Sequence, residues 1–389
     1  MLLNQNKSVT FVPQFDRSKI MKNVYILLSI FAFTTIQAQE NKLNLIVGTY
    51  TNSCDSKGLY VFEFDSKTGD FSLKNNTENI INPSYLTVSG DNKFVYSVSE
   101  NDKKTKINAF GFDSKNGKLD WINSQDPKGL NSCYIINDEK NVIAANYSSG
   151  NISVLGKNSD GSIGEVKQVV QHTGKGTNAR RQEAPHAHMV YFSPDKKYVL
   201  ANDLGTDRVY VYQYNPNGDN EILTLKSRMD VKPGSGPRHL TFSKNGKQVY
   251  LLQELDGTIT SFNYSDGILH KVSETTVVAQ DFKGDISAAD VHISPDGKFL
   301  YATNRGTAND ISVFRISRNG KLKFVQRTST LGKGPRNFTI DPTGNFLLVG
   351  HQYTNDIVIF KRDKKTGSLT ATGKKIELCS PVCLVFTKI

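Results

Sequence analysis

The chain has 389 residues, with 48 Lys or Arg and 37 Asp or Glu, and so carries a formal charge of +11 at pH 7. The basic residues are dispersed in short groups, among them the pairs Lys103–Lys104 and Lys374–Lys375. Without a basic helix or a long basic run, this charge disfavours a nucleic-acid-binding protein and is compatible with a site for small anions.

The first predicted element is a targeting segment. Met21-Lys22 precedes an apolar run from Val24 to Ile36, which ends at Gln37-Ala38-Gln39, and this order is typical of a signal peptide. We expect residues 1–38 to be an N-terminal extension and signal peptide, with Met21 as the true start. The mature protein, periplasmic or secreted, would then have no membrane attachment. The expected cleavage point lacks the cysteine of a lipoprotein.

Residues 40–389 repeat one pattern and are predicted to form a single β-propeller domain. Each copy contains a short strand, a polar turn, a second strand, a loop and a third strand of the form I-x-V-F. Clear copies are GPRHLTFSKNGKQVYLLQELDGTITSFNY, AADVHISPDGKFLYATNRGTANDISVFRI and GPRNFTIDPTGNFLLVGHQYTNDIVIFKR. Alternating apolar and polar residues around Asp-Gly and Asn-Gly turns predict antiparallel hairpins, and hence an all-β fold.

The spacing of the repeats predicts seven blades. Aligned on the first strand, the copies recur about every 50 residues, as four-stranded propeller units do. The chain ends after one strand of its last unit, SPVCLVFTKI, while residues 43–63 supply the missing strands. We therefore expect a seven-bladed β-propeller whose ring is closed by pairing of the N- and C-terminal strands.

Two rings of aligned residues should lie at one mouth of the central channel, because the first strand of each blade is innermost and pairs with the second. The inner ring, from the starts of the first strands, is predicted to contain Ser84, Ser132, His188, Arg238, Ala289, Arg336 and Val382. The outer ring, from the ends of the second strands, is predicted to contain Glu100, Tyr147, Leu204, Glu254, Arg305 and Gln352. Gathering ionisable groups at one place is costly unless they meet solvent or each other, so this mouth is the candidate site.

The residue types at the mouth favour an anionic or polyoxygenated ligand. Arginine offers a planar fork matched to carboxylate or phosphate, and His188 and Glu254 are acid–base candidates beside Arg238. The predicted ligand contacts are Arg305, Arg336, Arg181, His186, Gln352 and Glu100. Alternatives remain open: these charges can simply pair with one another, His186 can be an ordinary loop residue, and His188 or His292 can belong to His–Asp pairs that clamp blades.

These segments resemble a known family. The stretches NPSYL, RQEAPHAH, GPRHLTF, ADVHISPDGKFLYATNRG, GPRNFTIDPTGNFLLV and SPVC are similar to those of propeller lactonases, which include bacterial 6-phosphogluconolactonases and a carboxymuconate cyclase. The resemblance covers residues 43–386. The histidine, two arginines and glutamate implicated in that family fall on His188, Arg238, Arg305 and Glu254.

The resemblance implies a lactone hydrolase of the 6-phosphogluconolactonase type, acting on a sugar or phosphosugar lactone. Because sugar-phosphate lactones arise in the cytoplasm and this chain has an export segment, we expect an unphosphorylated or acidic sugar lactone. We expect a monomer with no cofactor and no metal: C-x-x-C-H is absent, and the rings carry more arginine than acid. The alternatives are a non-catalytic exported binding propeller and a carboxymuconate-type cyclase.

The expected chemistry uses His188 or Glu254 as the base, and His188 is favoured because its ordinary pKa is nearest neutrality. If His188 is the base, Glu254, with its pKa lowered by arginines, would orient it, while Arg238 and Arg305 would stabilise the oxyanion. The cysteines form no dense framework, and Cys379 and Cys383 lie close together in sequence. We expect buried free thiols.

Overall fold

The computed structural model describes Met1 and residues 41–389. The predicted signal peptide, with its start at Met21 and cleavage after Ala38, lies outside the described residues. Within residues 41–389 the chain forms seven four-stranded antiparallel sheets, which confirms the all-β, seven-bladed prediction. In this described part, no helix has the length and apolar character needed to cross a membrane.

The strands follow one another blade by blade, and they are numbered in chain order. The closing blade begins with β1 (Lys42–Thr49), β2 (Leu59–Asp65) and β3 (Phe71–Asn76). Blades 1 to 3 contain β4 (Leu86–Val88), β5 (Phe94–Ser99), β6 (Lys106–Asp113), β7 (Lys118–Gln125), β8 (Ser132–Asn137), β9 (Asn141–Asn146), β10 (Asn151–Lys157), β11 (Ile163–Gln171), β12 (Ala187–Phe192), β13 (Tyr198–Asp203), β14 (Arg208–Tyr214) and β15 (Leu223–Asp230). Blades 4 to 6 contain β16 (Pro237–Phe242), β17 (Gln248–Gln253), β18 (Thr258–Ser265), β19 (Ile268–Thr276), β20 (Ala288–Ile293), β21 (Phe299–Asn304), β22 (Asp310–Ile316), β23 (Leu322–Ser329), β24 (Pro335–Ile340), β25 (Phe346–His351), β26 (Asp356–Arg362) and β27 (Leu369–Glu377). The last strand is β28 (Pro381–Lys388).

The two ends of the propeller share one sheet. Strand β28 pairs antiparallel with β1, from Leu43 opposite Lys388 to Thr49 opposite Pro381, and the sheet order is β28-β1-β2-β3. This confirms the predicted closure by terminal strands. Closing the ring in this way protects the sheet edges that an open array of blades would expose.

The burial of the strands follows their place in each blade. Strands β9, β13, β21 and β25 are buried along their whole length, because neighbouring blades cover both faces. The outermost strand β11 alternates between more buried and exposed residues. The cores lie between blades: one contains Tyr96 and Val98 of blade 1 with Ile135 and Val142 of blade 2. This packing holds the inner strands, and thus the candidate site, rigidly around the channel.

The expectation of free cysteines is wrong for two of the four. Cys54 and Cys379, 325 residues apart, form a disulfide with a Cα–Cα distance of 5.9 Å. The physical reason is the closure itself: Cys54 follows β1 and Cys379 precedes β28, and the pairing of these strands brings the two loops together. Cys133 and Cys383 are free and buried, as expected.

Candidate active site at the channel mouth

A backbone hydrogen bond repeated in all seven blades fixes the outer ring. In each blade the N–H of an outer-ring residue donates to the carbonyl of the residue two positions before an inner-ring residue. The seven pairs are Tyr50 with Ser380, Glu100 with Asn82, Tyr147 with Asn131, Leu204 with His186, Glu254 with Gly236, Arg305 with Ser287 and Gln352 with Gly334. The two predicted rings are therefore adjacent, and each outer-ring side chain starts from a fixed point beside its inner-ring neighbour.

The inner-ring residues outside blade 1 occupy β-bulges. In β12 the register passes from Ala187 to Met189, which leaves His188 as the extra residue, and Arg238 and Arg336 hold the same position in β16 and β24. A bulge re-aims a side chain out of the regular alternation. In β8 the extra residue is Cys133, so the prediction of Ser132 was wrong by one position. Strand β8 has polar Asn137 at the position that Phe242 occupies in β16, so counting back from the last apolar residue, Ile136, places the ring one residue too early.

The backbone conformation explains the glycine of the Gly-Pro-Arg motif at residues 236–238. Gly236 has φ +68, and a Cβ there would lie 2.8 Å from the side chain of Leu255. Glycine tolerates this left-handed conformation without steric cost. The turn lets the Gly236 carbonyl accept from Glu254 while Arg238 enters the bulge two residues later.

Three arginines surround Glu254. Its Oε2 atom accepts from Arg238 Nε at 2.8 Å and lies 3.0 Å from Arg305 Nη2, while Oε1 accepts from Arg181 Nη2 at 2.6 Å. The same Arg181 nitrogen lies 3.3 Å from the hydroxyl of Tyr147. The side chains of Arg238 and Glu254 are nearly inaccessible to solvent, whereas 39% of Arg181 is exposed. We call these four charged residues the Glu254 cluster.

The electrostatics of the Glu254 cluster favour the ionised form of Glu254 and oppose that of Arg305. Burial alone would raise the pKa of Glu254, but Arg305, Arg238 and Arg181 outweigh it and lower the pKa to about 2. Burial lowers the pKa of Arg305 to about 10 in spite of Glu254. With three guanidinium groups and one carboxylate, the cluster keeps a formal excess of positive charge and is suited to stabilise an anion.

A second group, the Glu100 cluster, contains Tyr50, Glu100 and Arg336. The Tyr50 hydroxyl donates to Glu100 Oε2 at 2.8 Å, and Arg336 Nη2 lies 3.9 Å from the same oxygen. The guanidinium of Arg336 also stands over the Tyr50 ring, 5.4 Å from its centroid. Tyr50 is the seventh outer-ring residue, which the sequence prediction missed. The sequence alone could have placed Tyr50 in this ring, because Tyr50 directly follows β1, the second strand of the closing blade.

His188 lines the small cavity of the inner ring together with Arg238 and Arg336, and one of its ring nitrogens is not engaged. Its Nδ1 atom is buried and has no hydrogen-bond partner among the described residues. The ring meets Tyr147 and His239 edge to face, with centroids 5.6 and 5.4 Å apart. Burial, followed by the charges of Arg238 and His239, lowers the pKa of His188 well below its ordinary value. The imidazole is therefore neutral near pH 7, and Nδ1 is positioned for a ligand or water.

Two other predicted ligand contacts, His186 and Gln352, have different surroundings from each other. His186 stacks on Tyr147 with centroids 4.4 Å apart, and its Nδ1 lies 3.0 Å from the Tyr147 carbonyl. His186 therefore packs against the outer-ring residue Tyr147. Gln352 keeps a buried Oε1 atom with no partner in the described part of the chain, beside the Glu100 cluster. A polar ligand at the mouth would satisfy this atom.

Two cavities adjoin the rings. A small one of about 10 Å³ is lined by inner-ring residues that include His188, Arg238 and Arg336. That volume is close to the minimum that holds one water molecule. The other, about 470 Å³, is lined by the residues Tyr50, Asn52, Asn82, Glu100, Asn101, Asp102, Lys103, Asn131 and Gln352. A larger cavity of about 630 Å³ opens at the other end of the inner strands, but it contains none of the ring residues with charged side chains.

Three further histidines pair with aspartates. His172 Nδ1 lies 2.7 Å from Asp203, and His351 Nδ1 lies 2.8 Å from Asp356. His292 contacts Asp290 and is held in such a pair, whereas His188 is not. Among residues 41–389, no group of three or more His, Cys, Asp or Glu side chains is arranged to hold a metal ion.

The fold and the mouth together define a closed seven-bladed propeller whose rings carry a polar cavity and a buried arginine–glutamate cluster. Residues 44–386 match the family model described as "Lactonase, 7-bladed beta-propeller". The chain belongs to this lactonase family.

Relatives of known name agree with the family. A 6-phosphogluconolactonase from Formosa agariphila is 38% identical over 84% of this chain and 94% of its own length. A solved structure from Bacteroides fragilis is 42% identical, covers 90% of this chain and 99% of its own, and has a TM-score of 0.86. The structure of a periplasmic gluconolactonase from Pseudomonas aeruginosa is 33% identical, covers 89% of this chain and 99% of its own, and has a TM-score of 0.84.

Proposed function

We propose that this protein hydrolyses a small sugar lactone at the channel mouth formed by the two rings. The observation that carries the proposal is the placement of an unengaged, neutral His188 beside the positively charged Glu254 cluster. Ester hydrolysis needs those two things together: a base for water, and positive charge or donors for the oxyanion that develops on the carbonyl.

His188 is the base in this mechanism. A water in the small cavity would donate a proton to His188 Nδ1 as its oxygen attacks the lactone carbonyl. When the tetrahedral intermediate collapses, the bond to the ring oxygen breaks and the His188 imidazolium returns the proton to that leaving oxygen. The depressed pKa supports the second half of this cycle, because a histidine that protonates reluctantly is a strong acid once it is protonated.

The arginines supply the positive charge that stabilises the oxyanion. Arg238 lines the cavity next to His188, and Arg305 adds a second guanidinium through Glu254. Glu254 has both oxygens engaged by arginines, which favours a role in holding them over a role as base. With fixed cations beside the reacting carbonyl, we propose that the reaction requires neither metal nor cofactor.

The substrate class follows from the cavity of about 470 Å³ beside the Glu100 cluster. Its lining contains amide side chains from Asn52, Asn101 and Gln352, which suit the hydroxyl groups of a sugar. Glu100 and Asp102 outnumber Lys103 in the same lining, which disfavours a phosphate at this position. Together these features support a lactone of an uncharged sugar. We further propose that the protein acts as a monomer.

A hydrolysis screen tests the proposed function. Purified residues 39–389 should open glucono-δ-lactone, with spontaneous hydrolysis subtracted, and should process the 6-phosphorylated lactone less efficiently. Binding of the lactones without turnover would instead identify a non-catalytic binding propeller. Turnover only of a carboxymuconate would identify a cyclase.

The pH dependence should reflect the depressed pKa of His188. An ordinary histidine loses its basic form as the pH falls through about 6.5. Because burial, Arg238 and His239 lower the pKa of His188, its neutral form persists below that point. We expect kcat/KM to stay level from about pH 8 to below about pH 6.5, measured in overlapping buffers. An acidic limb centred at or above the ordinary histidine value would contradict His188 as the base.

Export is part of the proposal. The segment Met21–Gln39 has the features of a signal peptide, and a structural relative is a periplasmic enzyme. The Cys54–Cys379 disulfide adds support, since such bonds persist in oxidising compartments. A reporter active only outside the cytoplasm, fused after residue 45, should be active when the fusion starts at Met21. Its inactivity, with the same fusion active behind an established signal peptide, would reject export.

A further inference from the structure

Arg238 makes a contact that the mechanism above does not use. Its Nη1 atom donates to the carbonyl of Ala289 at 2.5 Å and lies 3.3 Å from Nε2 of His239, the next residue in β16. His239 lines the small cavity one layer below the inner ring and meets the rings of Tyr134 and His188 edge to face. His239 Nε2 is thus a third contact of the guanidinium, besides Glu254 Oε2 and the Ala289 carbonyl.

Asp290 determines the state of His239. Its Oδ1 atom lies 2.8 Å from His239 Nδ1, and its Oδ2 atom accepts from Asn337 Nδ2 at 2.5 Å. Burial would raise the pKa of Asp290, but His292 and His239 hold it well below its ordinary value, so the carboxylate only accepts hydrogen bonds. His239 Nδ1 must therefore carry the proton. Burial, with Arg238 beside it, lowers the pKa of His239 to about 4, which leaves Nε2 as a lone-pair acceptor at neutral pH.

We propose that Asp290 and His239 are positioning residues that orient Arg238 toward the reacting carbonyl. Asp290 fixes the proton on Nδ1 of His239, and Nε2 then accepts from Arg238 Nη1. The chain of contacts crosses three successive blades through β16, β20 and β24. It rests on the proposed function, because the orientation of Arg238 has a catalytic consequence only if the oxyanion forms there.

Comparison with the other buried His–Asp pairs separates this role from simple clamping. The second ring nitrogen of His172 contacts the Tyr212 hydroxyl at 2.9 Å, and that of His351 has no hydrogen-bond partner in residues 41–389. Neither nitrogen contacts a residue of the inner ring. Among these buried pairs, His239 is the one whose second nitrogen meets an inner-ring arginine.

A double-mutant cycle with Arg238 tests the proposal. His239→Leu should lower kcat by about 10- to 100-fold, the size of coupling expected within one hydrogen-bond network. His239→Gln, whose Oε1 can replace Nε2 as an acceptor, should recover most of that loss. In an Arg238→Lys background, His239→Leu should cost little more. An equal loss in both backgrounds, or no rescue by glutamine, would overturn the proposal. His172→Leu is the matched control for the loss of a buried His–Asp pair: it should lower the melting temperature without this dependence on Arg238.

A second measurement does not need activity. With ¹⁵N-labelled histidine, and the His239→Gln spectrum to assign the signal, His239 should show a protonated Nδ1 and an unprotonated Nε2 near pH 7. A protonated Nε2 would overturn the positioning role. If the wild type opens no lactone, the proposed function fails by itself, and this spectrum still decides the arrangement. If it opens lactones while the cycle shows no coupling, only the positioning role fails.

Discussion

Replacing His188 by alanine should lower kcat for lactone opening by about 10²- to 10⁴-fold, the usual contribution of a general base. His188 has the buried, unengaged Nδ1 atom at the inner ring, and its neutral form is favoured by burial and by Arg238. The side chain makes no ion pair, so its removal should leave the fold intact. Steady-state kinetics and far-ultraviolet circular dichroism measure the two effects separately.

The matched comparison is Glu254→Gln. This change removes the charge that three arginines share, and breaking a buried ion pair costs about 3–5 kcal/mol of stability. We expect a lower melting temperature and a smaller loss in kcat than for His188→Ala. His270→Ala, on an exposed part of β19, serves as the histidine control. If Glu254→Gln abolishes turnover while His188→Ala is nearly silent, the two roles are reversed.

The register of the strands explains which features of the fold and of the candidate site could be predicted from the sequence. Strand alternation and the regular spacing of repeats place one residue per strand at the channel mouth, and so His188, Arg238 and Glu254 could be grouped without a structure. The same logic failed where the apolar pattern of a strand is interrupted, as at Asn137 in β8. Cys133 replaces Ser132 because the bulge of β8 falls one residue later than apolar alignment suggests.

Contacts that depend on more than register could not be predicted. The loop that carries Arg181 has no repeat counterpart, so its reach to Glu254 is set by tertiary packing. His239 and Asp290 lie one residue beyond the predicted inner ring, where regular alternation would turn side chains away from the channel. Bulges in β16 and β20 break that alternation and direct both residues toward the same interior.

Removing the disulfide should cause the largest loss of stability that leaves the site residues unchanged. The bond joins Cys54 to Cys379 across 325 residues, beside the pairing of β1 with β28 that closes the ring. Cross-linking such distant positions restricts the unfolded chain strongly, and the loss of a native disulfide typically costs about 2–5 kcal/mol. We expect the Cys54→Ser/Cys379→Ser variant to unfold at a clearly lower urea concentration than the oxidised wild type.

Reductant supplies the control for this expectation. Cys133 and Cys383 are free thiols, so a reducing agent should shift the unfolding midpoint of the wild type toward that of the double variant and leave the variant itself unchanged. Thiol titration of the unfolded wild type should find two reactive cysteines before reduction and four after it. Equal midpoints for the wild type with and without reductant would mean that the strand pairing of β1 with β28 holds the ring closed without help from the disulfide. The bond would then be a consequence of closure and not one of its supports.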